Sequence, residues 1–325
     1  MMETDELQLL NETLLGLAVS ERNGLITKAL DAFGWRDMLA TDPEEAIAAL
    51  FDAQGRTGTW SAALHDVLAI DAQTFGMTGP INVLLPRPGS SWPGALRDEK
   101  VAIDGILLAP RTETATLVIA LLTADREGLL VAVEPDDLLI ERRQGLDPAL
   151  GAYAVSGTTV RRAILVEGER AREWWKAAQS RARLALCRQM VAALTVMIEQ
   201  ARSHVSERVQ FGRLVGTFQA VRHKLVEAHV ATTAADCATS TAWESDDLDL
   251  AALTAKVVTG KAVGVTAANA QQLLAGLGFT TEHPFHRFMK RAIVLERILG
   301  SGNELASVLG RRLVERGEAP RLVQL

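Results

Sequence analysis

Residues 187–205 read CRQMVAALTVMIEQARSHV. Cys187, Met190, Val191, Leu194, Met197, Ile198, Ala201 and Val205 recur at i, i+3, i+4 and i+7, the spacing that gathers apolar side chains on one face of an α-helix. The helical pattern begins near residue 168 and ends near Gly212, so the spacing predicts one long amphipathic helix. Downstream, Phe218, Val221, Leu225 and Ala228 start a second helix. Leu253, Val257, Ala262 and Val265 lie on a third that runs toward Gly276, and a fourth passes through Leu295 and Ile298. Four long helices with short connections predict an antiparallel bundle.

Upstream the character changes. Pro80, Pro86, Pro88, Pro93 and Pro110 punctuate the chain between about 76 and 165. Among them and just after lie short β-rich runs: Val101 to Ile106, Thr116 to Leu122, Leu129 to Val133, Leu138 to Glu141 and Tyr153 to Val155. With Asp104-Gly105 taken as a turn signal, they predict a small antiparallel sheet. Further upstream the chain is helical again. Leu7, Leu10, Leu14 and Leu17 form one apolar face, and Ile26, Leu30 and Phe33 form another that Gly34 terminates. Asp42-Pro43-Glu44-Glu45 is a helix start, with proline in the first turn and acids at the positive end of the dipole. The order helices, sheet, helices predicts an α+β chain with segregated parts. These are an N-terminal helical domain over 1–75, a middle antiparallel β domain over 76–167 and a C-terminal four-helix-bundle domain over 168–325.

Composition agrees with this picture and excludes several functions. Of the 325 residues, 48% are hydrophobic but only 5% aromatic, which suits helix packing better than an all-β sandwich. Forty acidic against 34 basic residues give a net charge of −6, which argues against nonspecific nucleic-acid binding. Cys187 and Cys237, the two cysteines, sit in helical segments without metal spacing and are expected as buried, reduced thiols of a cytoplasmic protein. The acidic start Met1-Met2-Glu3-Thr4-Asp5-Glu6 is unlike a signal sequence. The most apolar run, Leu117 to Leu122 between Glu113 and Asp125, is far short of the ~20 residues of a membrane helix, so no membrane partner is expected. His283 and His286 are three apart but have no third ligand in view, and His223 and His229 do not share a helix face, so no metal is expected. Phosphate-loop, Rossmann and nucleophile-elbow patterns are missing. Thr259-Gly260-Lys261 reads as a mid-helix glycine, and Glu244-Ser245-Asp246-Asp247 as an exposed connection.

Three segments of the last half resemble acyl-CoA dehydrogenases. Arg208-Val209-Gln210-Phe211-Gly212 followed by Phe218-Gln219 is similar to that family's R-x-x-F-G…F-Q element. Gln272-Leu273-Leu274-Ala275-Gly276-Leu277-Gly278-Phe279, then Glu282-His283-Pro284, resembles its Q-x-x-G-G-x-G-Y…E-x-P element, with Ala275 replacing a glycine. Lys290-Arg291-Ala292 through Ile298-Leu299-Gly300-Ser301 falls where the family has R-D-A…Y-E-G-T. The specific motifs cover residues 200 to 305; Gly34-Trp35 resembles a turn in the family's first domain.

The resemblance implies FAD as cofactor and acyl-CoA as substrate. It implies that Arg208, Gln210, Phe211, Gln272 and Gly276 face the ADP end of FAD. On residue chemistry alone both uses stay open. Arg208 suits a pyrophosphate or the last carbonyls of its helix. Phe211 suits an adenine face or a core. Gln272 and Gly276 suit a helix end or a close backbone approach to a dinucleotide.

The family's reaction needs a carboxylate that removes the α-proton of the thioester. Its two family positions correspond here to Leu299 and Ala182, and neither can take a proton. Glu296 and Glu304 are the nearby acids. The flavin-ring segments of the sheet domain are reduced to Leu85-Pro86-Arg87-Pro88-Gly89-Ser90-Ser91-Trp92, with Trp92 a candidate ring contact. In the family each flavin lies between subunits, and this chain keeps the half that the neighbour donates. It therefore resembles the short subunit of heteromeric (α2β2) steroid side-chain acyl-CoA dehydrogenases. That implies a hetero-oligomer with a catalytic homologue. The alternatives are a self-sufficient homo-oligomer with a relocated base and a non-catalytic scaffold.

Overall fold

The computed structural model describes residues 4–20, 25–77, 79–97, 99–111, 115–160 and 162–317. Met1, Met2, Glu3 and Glu113 lie outside them. The architecture is α+β, in the order helices, sheet, helices.

Five helices come first: α1 (Thr4–Ser20), α2 (Thr27–Phe33), α3 (Trp35–Thr41), α4 (Pro43–Thr57) and α5 (Ala63–Leu68). Gly34 separates α2 from α3 in the left-handed conformation, at φ 82°. Asp42 caps α4 by accepting the Glu45 N–H at 3.5 Å, with Pro43 in the first turn. Trp35 is buried, and its indole N–H donates to Asp66 at 3.2 Å. Asp66 also pairs with Arg111 at 2.7 Å, which ties the helices to the sheet. His65 does the same. Its two ring nitrogens lie 3.1 Å and 2.9 Å from the carbonyl oxygens of Val83 and Leu108, and burial pushes its pKa down to about 4.

The sheet has nine strands: β1 (Ile81–Val83), β2 (Leu85–Pro86), β3 (Gly94–Arg97), β4 (Lys100–Leu108), β5 (Thr116–Leu122), β6 (Gly128–Val133), β7 (Leu138–Arg143), β8 (Ala152–Thr159) and β9 (Arg162–Glu167). Their order is β7-β8-β4-β3-β5-β6-β9, with β1 on β5 and β2 on β4. Two expectations need correction. The pairing is antiparallel except that β5 takes both β1 and β3 in parallel. Asp104-Gly105 is not a turn; it lies in the middle of β4, opposite Ser156 and Val155. A Cβ on Gly105 would come within 2.6 Å of Leu84 and Leu85, so the glycine lets a neighbouring strand cross tightly.

The last part is helical: α6 (Glu169–Glu207), α7 (Gln219–Ser240), α8 (Leu248–Leu274), α9 (Phe285–Arg297) and α10 (Gly302–Arg316). α9 is shorter than the fourth helix the sequence predicts. It stops at Arg297 because Leu299 and Gly300 both take positive φ, at 58° and 99°. Ser301 and Glu304 then form a reciprocal capping box that starts α10. Cys187 is buried, but Cys237 is exposed on α7, against expectation. By length and composition alone, α6 and the segment Leu248–Phe279 each resemble a membrane span, yet 67% and 61% of their most apolar windows are buried within the chain. Packing in the bundle accounts for that apolar content.

Candidate functional site

The sequence-predicted residues fall at two places. The first is the end of the bundle where α6 and α8 terminate. Arg208 follows the last turn of α6, and its backbone N–H closes on the His204 carbonyl at 3.0 Å. The chain then makes a minimal hairpin from β10 (Val209–Gln210) and β11 (Arg213–Leu214), with Gln210 opposite Arg213. Phe211 and Gly212 form its two-residue turn, both at positive φ, 52° and 73°. That is what a tight hairpin of this twist demands. The turn pushes Phe211 out until it is 90% exposed. Its ring meets Phe218 edge to face at 6.2 Å, while the Arg213 guanidinium covers Phe218 at 4.0 Å. Arg208 and Gln210 are exposed as well. Phe211 is therefore not a core residue.

The α8 terminus contributes to the same end. Asn269, in the last turns of α8, donates to Glu227 and accepts from Lys224, both in the early turns of α7. Beyond it Gln272 and Gly276 are exposed, and a Cβ on Gly276 would meet nothing. Gly278 differs. It is buried, and a Cβ there would strike the Gln271 carbonyl at 2.8 Å. So Gly278 serves the turn, whereas Gly276 leaves backbone open to a ligand. Phe279 is 76% exposed beside it in sequence. Two exposed phenylalanines, a free-standing arginine and an open glycine are an arrangement that can take an aromatic anion.

The second place holds the two family base positions, and it is closed. Ala182 is fully buried on α6, and Leu299 is 4% exposed. Arg183 Nε donates to the Leu299 carbonyl at 3.1 Å, so the two positions lie at one locus. Burial pushes the Arg183 pKa down to about 10, although Asp249 opposes the shift. Asp249 is itself engaged by Ser180 at 3.0 Å, by Lys176 at 3.7 Å and by Arg312. The adjoining cleft of about 380 Å³ has Trp92, Arg126, Arg172, Lys176 and Arg312 in its walls. Trp92 rests on Trp175 at 6.1 Å, and Trp175 stacks on Trp174.

The candidate acids are committed elsewhere. Glu296 accepts the Gly302 N–H at 2.7 Å and pairs with Arg297 at 3.1 Å. Glu304 accepts both the N–H and the hydroxyl of Ser301, which holds its carboxyl below the usual range. Both carboxylates organise the start of α10. Among the described residues no cluster of three His, Cys, Asp or Glu side chains is placed to hold a metal. His283 instead accepts the Phe285 N–H at 3.2 Å.

Sequence reasoning missed His204. It lies one turn before Arg208 on α6, where burial, then Arg208 and His283, hold its imidazole below the ordinary range. The i, i+4 spacing was visible; the partner from a distant segment was not.

Comparison with known proteins gives a consistent picture. Residues 174–314 match the family described as acyl-CoA dehydrogenase, C-terminal domain. Acyl-CoA dehydrogenase FadE34 of Mycobacterium tuberculosis is 30% identical over 258 residues, which is 73% of this chain and 35% of that protein. The chain spans roughly a third to two fifths of the length of the curated relatives it matches. A variant of the Tcur3481-Tcur3483 steroid ACAD shares the fold at a TM-score of 0.77 and 19% identity, over 97% of this chain and 99% of that one. A chain of the ChsE4-ChsE5 complex from Mycobacterium tuberculosis does so at 0.73 and 17%, over 98% and 99%.

Proposed function

The chain belongs to the acyl-CoA dehydrogenase family, and from that premise we propose that it is one subunit of an FAD-dependent acyl-CoA dehydrogenase assembly, donating the ADP end of a flavin site to a catalytic homologue. One observation carries the reading. The residues matching the family's donated half are exposed at one end of the bundle, while both base positions are apolar and buried.

The exposed residues fit the group. Arg208 offers a planar guanidinium fork to a pyrophosphate. Phe211 offers a ring face to adenine, and Gly276 offers backbone without a side chain in the way. Gln210 and Gln272 add amide donors and acceptors. When bound, the flavin supplies hydride acceptance from the β-carbon of the acyl group. This chain's part is to bind and orient the nucleotide end. It has no free carboxylate at Ala182 or Leu299 to take the α-proton, so that proton goes to a group on the partner. The steroid ACAD among its structural neighbours favours a bulky acyl-CoA, such as one with a steroid side chain, and the ChsE4-ChsE5 complex favours a heteromeric assembly; a cytoplasmic location belongs to the same proposal and rests on the sequence alone.

A visible absorption spectrum tests the reading. The chain is purified alone and after co-expression with a full-length homologue. Flavin absorbance confined to the co-purified complex is the expected result. Full occupancy in the lone chain would instead establish a self-sufficient homo-oligomer. Flavin in neither sample would leave a scaffold.

A further inference from the structure

The cleft beside the closed base locus lies at the seam of sheet and bundle. Its walls come from the loop carrying Trp92, the β5–β6 turn, α6, α8 and α10. Five cations line it, Arg126, Arg172, Lys176, Arg183 and Arg312, against one carboxylate, Asp249. Three of the five share that carboxylate: Lys176 at 3.7 Å, Arg183 at 3.8 Å, and Arg312. The Ser180 hydroxyl donates to it as well, at 3.0 Å. Among the described residues, Arg126 and Arg172 pair with no carboxylate. Five cations less one carboxylate leave an excess of four positive charges in the cleft.

Stability alone does not favour this arrangement. Arg172, Lys176, Gln179 and Arg183 follow one another at i, i+4, i+7 and i+11 on α6, so they share a face. Like charges four apart on a helix repel. Gly128, at the start of β6, lets the sheet come close to that face: a Cβ there would lie 2.7 Å from Arg172 Cγ. The close approach sets Arg126, in the turn before β6, over the same cleft as Arg172. Below the cations the floor is apolar. Leu253 and Leu305 are buried, and the half-buried Trp92 rests on Trp175.

We propose that this cleft binds a flat apolar ring that carries an anionic group, a phosphate or a carboxylate. The exposed Arg126, Arg172 and Lys176 hold the anion at the rim, where guanidinium forks suit either group. Trp92, Leu253 and Leu305 hold the ring beneath it. The anion relieves the self-repulsion that the empty rim carries. The reacting end of an acyl thioester is uncharged and has no use for such a rim. A volume of about 380 Å³ is at the small end for ligand pockets and suits one ring system rather than a dinucleotide. The cleft is also remote from the proposed flavin half-site. Arg183 and Glu207, at the end of α6, are 24 residues apart, about 36 Å along a helix that rises 1.5 Å per residue. The proposal therefore stands whether or not this chain donates to a flavin.

Titration calorimetry of the full chain tests it. AMP and 2-naphthoate are the anionic probes, and adenosine and 2-naphthylmethanol are their uncharged counterparts. At least one anionic probe should saturate the chain, and its uncharged counterpart should bind far more weakly. Arg126→Ala with Arg172→Ala should weaken that probe by about tenfold or more, as expected when charge-assisted contacts are lost. Arg126→Ala alone, at an exposed turn, should weaken it severalfold and serves if the double variant does not fold. Arg208→Ala should bind the probe as the unmutated chain does. A preference for AMP would assign the natural ligand a phosphate, and a preference for 2-naphthoate a carboxylate; either supports the site. No binding of either anion, equal binding of the uncharged counterparts, or unchanged affinity in the Arg126 and Arg172 variants would overturn the proposal. Loss of binding in Arg208→Ala would move the probe to the flavin half-site and overturn it too.

Discussion

At Ala275 the backbone takes φ 51° and ψ −129°, a region that L-residues avoid because Cβ crowds the neighbouring peptide. The corresponding family position is one of the two adjacent glycines of Q-x-x-G-G, and here alanine keeps the turn at the expense of strain. The side chain is exposed and packs little. Ala275→Gly should therefore relieve about 1–2 kcal/mol of strain against roughly 0.5–1 kcal/mol of extra chain entropy in the unfolded state. The expected outcome is a small net stabilisation, read as a higher urea midpoint at unchanged slope. A lower midpoint would show that the turn tolerates alanine without strain. Phe211 is the companion case. It too occupies positive φ, but as the tip of a two-residue hairpin turn, and its displacement into solvent follows from that turn rather than from any lack of apolar neighbours.

Elements meet where side chains are absent. Gly55 on α4 faces α6 so closely that a Cβ would lie 2.4 Å from the Gln189 carbonyl and 2.5 Å from the Ala192 Cβ. Gly55→Ala should gain about 1 kcal/mol of helix propensity and lose more than that to overpacking, a net loss of about 1–2 kcal/mol. Gly16→Ala on α1, where a Cβ meets nothing, is the control and should be neutral or stabilising. Equal thermal shifts for the two would refute the packing argument. These contacts mark the limit of what the sequence makes legible. The period of residues 187–205 foretells α6 because a helix buries one face whatever lies opposite. The run Thr116 to Leu122 is β5 to the residue because its β-rich composition is local. Asp104-Gly105 misleads, since glycine marks a close approach as readily as a turn. The break between α9 and α10 is hidden because Ile298 and Leu299 continue an apolar period, while the positive φ at Leu299 is set by tertiary packing. Short strands such as β1 and β2 are recognisable only through their partners.

For the whole molecule, the two candidate places lie on opposite sides of a question about which chain does what. The closed locus of Ala182, Arg183 and Leu299 is knitted by Asp249 into α6, α8 and α10. The open one at Arg208, Phe211 and Gly276 has little within the chain to hold it. Motifs made the identity of the open residues legible, but exposure is a property of the fold, and only the fold separates an arginine that caps its own helix from one that waits for a ligand. If Arg208 serves a flavin whose ring lies on a partner, its loss must be felt in the partner's chemistry. Arg208→Ala in the co-purified assembly should lower flavin content severalfold or more, as expected for losing a charge-assisted fork worth about 1.5–3 kcal/mol. The complex should still form, because Arg208 is exposed and carries no packing in this chain. Activity per bound flavin should stay near that of the unmutated complex, since no proton acceptor has been touched. An unchanged flavin content would remove the donated half-site. Full flavin content with activity lost would assign Arg208 to the substrate instead.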